Sequence, residues 1–237
     1  MTWSLIAHDP LTNAFGIAVA TKFFAVGALV PYIESGIGAV ATQALVNPLY
    51  GPDGLILLEN EIASDEAIRI LTEHDAGRDQ RQVHMLDRHG RIGAFTGAAC
   101  IDWCGHIARD GISVAGNMLA GERVLDDTAA AYHANASLPF PRRLIAAMRA
   151  GEAAGGDKRG KQSAALLIHG EDEYPLLDIR VDDHADPLAE LARLEAVSRE
   201  RFTHFRNFMA TRGSPGLIDR EKLDAEIAKA IEAEGKA

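Results

Sequence analysis

The chain of 237 residues carries 24 lysines and arginines against 34 aspartates and glutamates, for a formal net charge of -10. That length suits one substantial hydrophobic core, and the acidic balance excludes a binder of nucleic-acid phosphates, which needs a basic face. His8 and Asp9 follow the first apolar residues at once, with no basic leader and no long apolar run, so no signal peptide or membrane span is read and a cytoplasmic protein is expected.

Residues 2–8 (TWSLIAH) and 15–20 (FGIAVA) read as strands, and DPLTN between them supplies the Pro and Asn of a hairpin turn. An extended region over about 29–44, ending in GIGAVATQA, adds two buried strands. Leu55, Leu58, Ile62, Ile68 and Leu71 then recur at helical spacing, with Ser64, Asp65 and Glu66 as a helix start, so two helices are predicted over 53–75. RQVHMLDRHGRIGAFTG and GHIARDGISVAG return to alternation around His-Gly and Asp-Gly turns and give about four further strands. Helices resume at RVLDDTAAAYHA and PFPRRLIAAMRAGEAAG, with Pro141 in a first turn and Gly155 and Gly156 as terminators. SAALLIH and YPLLDIRV follow as strands, and Asp186 and Pro187 open one long helix predicted to run to about Gly213.

GSPG at 213–216 reads as a linker, so the expected organisation is a main domain over 1–212 and a helical appendage over 213–237. Phe202, Phe205 and Met209 form a stripe that suits docking of the last helix or a subunit contact, and a homo-oligomer is expected. Grouped strands and paired helices point to a layered α+β sandwich rather than a parallel βαβ fold.

Several polar sets are candidates for chemistry. GGDKRGKQS nearly spells a phosphate-binding loop, but Gln162 stands where Ser or Thr belongs and a strand follows where a helix is needed. The same loop offers Arg159 and Gln162 to a substrate, and Asp183 and His184 after DIRV form a second cluster, which with Asp182 also suits metal-assisted hydrolysis. No H-x-H or i,i+4 histidine pair supports a metal, and no metal or cofactor is expected. Cys100 and Cys104, at C-x3-C spacing, read as small buried hydrophobes. Gln43 and Asn47, and Asn117 after Gly116, are amides at strand ends that can orient substrates or merely satisfy turns, and exposed backbone N–H groups there can form an oxyanion hole. Thr2 is the last set, with Thr21 and Lys22 at the exit of the second strand: a threonine at a free amino terminus can pass its hydroxyl proton to its own α-amine, whose pKa of about 7.7 to 8.0 leaves part of it neutral at pH 7.

AHDPLTNAFGIAVATKFFAVGALVPYIESGIGAVATQALVNPLYGPDG, RQVHMLDRHGRIGAFTG, GNMLAGERV, AGGDKRGKQSAALL and DIRVDDHADPLAEL resemble the DUF1028 family over about residues 2–195. The resemblance implies an Ntn-hydrolase-like fold, a four-layer αββα sandwich of mostly antiparallel sheets. Enzymes of that superfamily cleave amide bonds with an amino-terminal Thr, Ser or Cys, and Thr2 takes the corresponding place once Met1 is removed. The resemblance departs from proteasome subunits at Thr21, where they carry an acid, and at LVPYIESG, which lacks their lysine. The expectation is an amidohydrolase for a small amide, ureido or N-acyl compound, with Thr2 attacking, Lys22 supplying charge, backbone amides near Ala44 to Asn47 or Asn117 holding the oxyanion, and Arg159 or Lys22 receiving a substrate carboxylate. A binding protein on the same scaffold is the alternative.

Overall fold

The computed structural model describes residues 2–234. Its chain order is β1 (Thr2–Asp9), β2 (Ala14–Thr21), β3 (Pro31–Glu34), β4 (Gly38–Ala44), α1 (Tyr50–Glu59), α2 (Ser64–Glu73), β5 (Arg81–Asp87), β6 (Ile92–Thr96), β7 (Gly105–Arg109), β8 (Ile112–Asn117), α3 (Arg123–Ala134) and α4 (Phe140–Ala153). It continues with β9 (Ser163–His169), β10 (Pro175–Val181), α5 (Pro187–Ser198), α6 (Phe202–Arg206) and α7 (Arg220–Glu234). No helix among the described residues is long and apolar enough to cross a membrane.

Turn chemistry fixes the hairpins. The Asp9 carboxylate accepts from Leu11 N at 3.2 Å and Thr12 Oγ1 at 2.6 Å, and closes the β1–β2 turn. Gly90 and Gly111 stand at φ of 76° and 70°, which the tight β5–β6 and β7–β8 turns require. Two antiparallel sheets result: six strands in the order β10-β9-β2-β1-β8-β7, and four in the order β3-β4-β5-β6.

Strand parity decides what each face buries. Ile6, Phe15, Ile17 and Val19 of the large sheet share one core with Ala39, Ala41 and Leu86 of the small sheet, so these faces meet. The other face of the small sheet carries Val40, Val83 and Met85 into a second core with Tyr50, Leu55 and Leu58 of α1 and Ala67 and Ile68 of α2. Helices α3 and α4 cover the outer face of the large sheet: a Cβ on Gly16 would lie 2.6 Å from Leu144 Cδ1 and 2.9 Å from the Phe140 ring. Both faces of β1 and β2 are thereby buried, and so FGIAVA is apolar at every position rather than alternating.

Helix α2 starts at Ser64, with Asp65 and Glu66 in its first turn as expected, and the Ser64 side chain also serves as a tie. Its hydroxyl donates to Asp87 Oδ2 at 3.2 Å and Arg91 O at 2.8 Å and ties α2 to the β5–β6 turn.

The chain divides into two compact units, Met1–Leu191 and Ala192–Ala237. The single long helix predicted from Asp186 to about Gly213 is not formed. Arg199 N and Glu200 N bond back to Ala196 O and Val197 O, an i to i−3 pattern that closes α5, and Arg201 at φ -150° starts the short α6. Arg201 then pairs with Asp224 of α7 at 2.5 Å.

Candidate active site

One end of the sandwich gathers the start of β1, the end of β2, the end of β4, the start of β5 and the end of β8. Register puts Thr2 opposite Thr21 on one side and Asn117 on the other, so all three side chains share the inward face. Thr2 is buried to 7% exposure, Thr21 and Asn117 more fully, and Thr2 Oγ1 donates to Thr21 Oγ1 at 3.2 Å. Met1, whose removal the terminal chemistry of Thr2 requires, lies outside the described residues.

Behind Thr2 a buried polar chain crosses between the sheets, and its proton directions follow from one fixed point. Gln82 Nε2 lies 2.9 Å from Gly116 O and 3.0 Å from Gly105 O, and carbonyls only accept, so this atom is the amide nitrogen. Thr96 Oγ1 lies 2.9 Å from the same nitrogen and shares its protons. Gln82 Oε1 must therefore accept, from Gln43 Nε2 at 2.8 Å and Asn117 Nδ2 at 3.0 Å. Gln43 Oε1 in turn accepts from Ser4 Oγ at 2.7 Å. With its proton so directed, Ser4 Oγ accepts from His84 Nε2 at 2.8 Å, and His84 Nδ1 accepts from Ser113 Oγ at 2.8 Å. His84 is thus the neutral Nε2–H tautomer, in keeping with burial and then the nearby His106, which push its pKa down to about 3.

Of the residues singled out from the sequence, Thr2, Thr21, Asn117 and Gln43 come together here. Asn117 holds its side-chain N–H toward Gln82. The backbone amides just after it are also engaged: Met118 N donates to Ile101 O at 2.8 Å and Leu119 N to Trp103 O at 2.9 Å, while Leu45 N donates to Gln80 O at 3.1 Å.

The expected helpers of Thr2 are held by other partners. Lys22 is exposed, since it follows Thr21 and alternation turns it away, and its Nζ donates to Lys161 O at 3.3 Å. Arg159 pairs with Asp157 at 3.2 Å; that carboxylate is fully buried and also accepts from Lys22 N at 2.9 Å and Arg159 N at 2.8 Å. Arg159 is therefore an ion-pair partner that closes the loop before β9. Its side chain is 40% exposed, so solvent screening reduces the few kcal/mol of a fully buried pair, and Arg159→Met is expected to lower stability by about 1–2 kcal/mol. Urea unfolding checks this, and an unchanged midpoint would return Arg159 to the list of ligand-binding groups.

Gln162, Asp183 and His184 do meet, at the exposed side of the loop: Gln162 Nε2 donates to Asp183 Oδ1 at 3.1 Å and His184 N donates to Gln162 O at 2.8 Å. His184 Nδ1 accepts from Asp186 N at 3.0 Å, and Asp182 pairs with Arg180, so the acids and the imidazole face different partners. Among the described residues no group of three or more His, Cys, Asp or Glu is arranged to hold a metal ion. Lys161, the lysine of the near phosphate loop, pairs with Glu152 and Asp186. Cys100 is buried and Cys104 partly so; both are free thiols, and burial pushes both pKa values up.

Asn47 belongs to a separate cluster under α1. Its Nδ2 donates to Asp75 Oδ2 at 3.3 Å, beside Tyr50 Oη at 2.8 Å and Arg81 Nε at 3.1 Å. Burial would raise the Asp75 pKa, but the hydrogen bonds from Tyr50, Gly77 N, Arg81 and Asn47 outweigh it and bring it down to about 2. A carboxylate depressed in the fold stabilises fully above its unfolded pKa and loses that contribution as pH falls through the folded one. Asp75→Asn is accordingly expected to cost about 1–2 kcal/mol at pH 7 and progressively less from pH 4 toward pH 2, measured as unfolding midpoints at each pH.

Gln82, Ser4, His84 and Ser113 were not among the residues singled out from the sequence. Their signal is parity: each polar side chain falls on the same inward face as the apolar core residues of its strand.

The DUF1028 sequence model, described as a family of unknown function, matches residues 2–191. The crystal structure of protein SPO2555 from Silicibacter pomeroyi, described as DUF1028, is 34% identical with a TM-score of 0.78 and covers 83% of this chain and 88% of its own. Anbu (ancestral beta-subunit) from Yersinia bercovieri is 10% identical with a TM-score of 0.42, over 84% of this chain and 96% of its own. No curated protein matches the chain. With the family matched from Thr2 through the strands that carry Thr21, Gln82 and Asn117, the chain belongs to DUF1028.

Proposed function

We propose that the chain is an Ntn-hydrolase-like four-layer αββα sandwich that works as an amidohydrolase on a small amide, ureido or N-acyl compound, with Thr2 as nucleophile. The observation that carries this reading is the hydroxyl of residue 2 at the end of a central strand, flanked in register by Thr21 and Asn117 and 3.2 Å from Thr21 Oγ1. Removal of Met1 puts a free α-amine beside that hydroxyl. Thr2 Oγ1 then attacks the substrate carbonyl carbon and gives its proton to the amine; the C–N bond breaks and the leaving nitrogen takes that proton. Water, deprotonated by the same amine, hydrolyses the acyl ester and restores Thr2.

The test is the terminus itself. Chains beginning at Thr2, and chains carrying one added residue ahead of it, are prepared and identified by intact mass, then incubated with a panel of small amides. Turnover only with the free Thr2 terminus is expected, and equal turnover by the extended chain rejects the mechanism.

A second reading has its own observation: Lys22 and Arg159, the cations expected to aid chemistry or bind substrate, are held by Lys161 O and Asp157. That favours a non-catalytic small-molecule-binding protein on the same scaffold. Saturable binding of an amide by the Thr2-initiated chain without turnover supports it.

A further inference from the structure

We infer that Gln82 is a positioning residue that fixes the Asn117 amide, so that Asn117 presents its carbonyl oxygen, and not its N–H groups, to the Thr2 terminus. The inference rests on Gln82 standing between two backbone carbonyls that cannot donate. Gly105 O and Gly116 O lock the Gln82 nitrogen toward themselves, and the opposite atom, Oε1, then demands donors. It receives one from Gln43 and one from Asn117. An Asn117 side chain turned the other way would set its oxygen against Gln82 Oε1, two buried acceptors without a proton between them. Burial makes that arrangement costly: Gln82 is wholly buried and Asn117 is 2% exposed. Asn117 and Thr2 are register partners on one face, and with Nδ2 committed to Gln82 the proposal gives the Thr2 side to Oδ1.

The consequence for chemistry rests on the proposed role of the Thr2 amine. An acceptor there favours the ammonium form and holds it by one N–H, while a side-chain N–H would repel it. The Asn117 side chain is then an anchor for the base.

The orientation is read directly in the full chain by proton NMR. The Asn117 and Gln43 side-chain amide protons converge on one oxygen, so a nuclear Overhauser effect between them is expected; contacts of the Asn117 amide protons with the Thr2 β-proton or methyl instead overturn the assignment. This measurement needs no variant and no activity. In the Thr2-initiated chain, titration of the α-amine should give a pKa lower by about half a unit or more in Asn117→Leu. Gln82→Met, which frees the amide to turn, should shift it the same way. An amine pKa unmoved in folded Asn117→Leu refutes the anchor. If the amine titrates as expected but no amide is cleaved, the Asn117 assignment stands and the hydrolase reading falls.

Discussion

Between pH 7 and pH 4 the protein is expected to lose about 3 kcal/mol of folding stability through His84 alone. The imidazole is held neutral between the sheets with its pKa down to about 3, while in the unfolded chain it returns to about 6.5. Above pH 6.5 both states are neutral and the group contributes no pH dependence. Below it the unfolded state takes up a proton that the folded state refuses, so stability falls by about 1.4 kcal/mol per pH unit until the folded pKa is reached. Protonation in place would put a second donor on Nδ1 against Ser113 Oγ, whose own proton already points at that nitrogen. His106 and His169 are also lowered by burial, so the wild-type slope alone does not isolate His84. The comparison that does is His84→Gln, which keeps one donor and one acceptor but cannot titrate. Urea unfolding at pH 7, 5.5 and 4 should show a shallower slope in the variant, and identical slopes would remove His84 from the account.

The same buried chain explains what was legible in the sequence and what was not. Strands and hairpins were readable because local chemistry specifies them: Asp9 caps its own turn, and Gly90 and Gly111 stand where φ is positive. The two central helix pairs followed from apolar spacing and from Pro141 and Gly155. The break after Ser198 was not readable, since ARLEAVSRERFTHF has neither Gly nor Pro and the helix ends by tightening of its own last turn.

At the site the legible part was Thr2 with its register neighbours, because a hairpin necessarily sets the end of β2 beside the start of β1. Lys22 was placed by the same reasoning one residue too far, where alternation turns the side chain outward. Arg159 and Asn47 looked free because their acids, Asp157 and Asp75, are made partners by the fold: Asp157 by its bond to the distant Lys22 N, Asp75 by convergence with Arg81 and Tyr50. Gln82 and His84 sit in QVHML, an ordinary alternating strand. Their meaning arises only when β5 is laid over β1 and β8, a contact between residues 35 and 80 positions apart in sequence.

In the Thr2-initiated protein, Thr2→Ala is expected to leave the fold intact and reduce turnover of a cleaved amide by about three orders of magnitude or more, the scale on which removing a nucleophile acts. The fold should tolerate it because the hydroxyl's described bond, to Thr21 Oγ1, is long at 3.2 Å. Thr2→Ser keeps hydroxyl and amine but drops the methyl that restrains the side-chain torsion, so it should retain a measurable fraction of kcat with KM little changed. Thr2→Val keeps the shape and the branching without the oxygen and should match Thr2→Ala in turnover while binding substrate normally. That last variant separates chemistry from packing. If Thr2→Val turns over substrate at the unsubstituted rate, the hydroxyl is not the nucleophile, whatever the state of the amine beside it. If it neither turns over nor binds, Thr2 Oγ1 is part of the recognition surface, and the binding-protein reading gains the ground that the hydrolase loses.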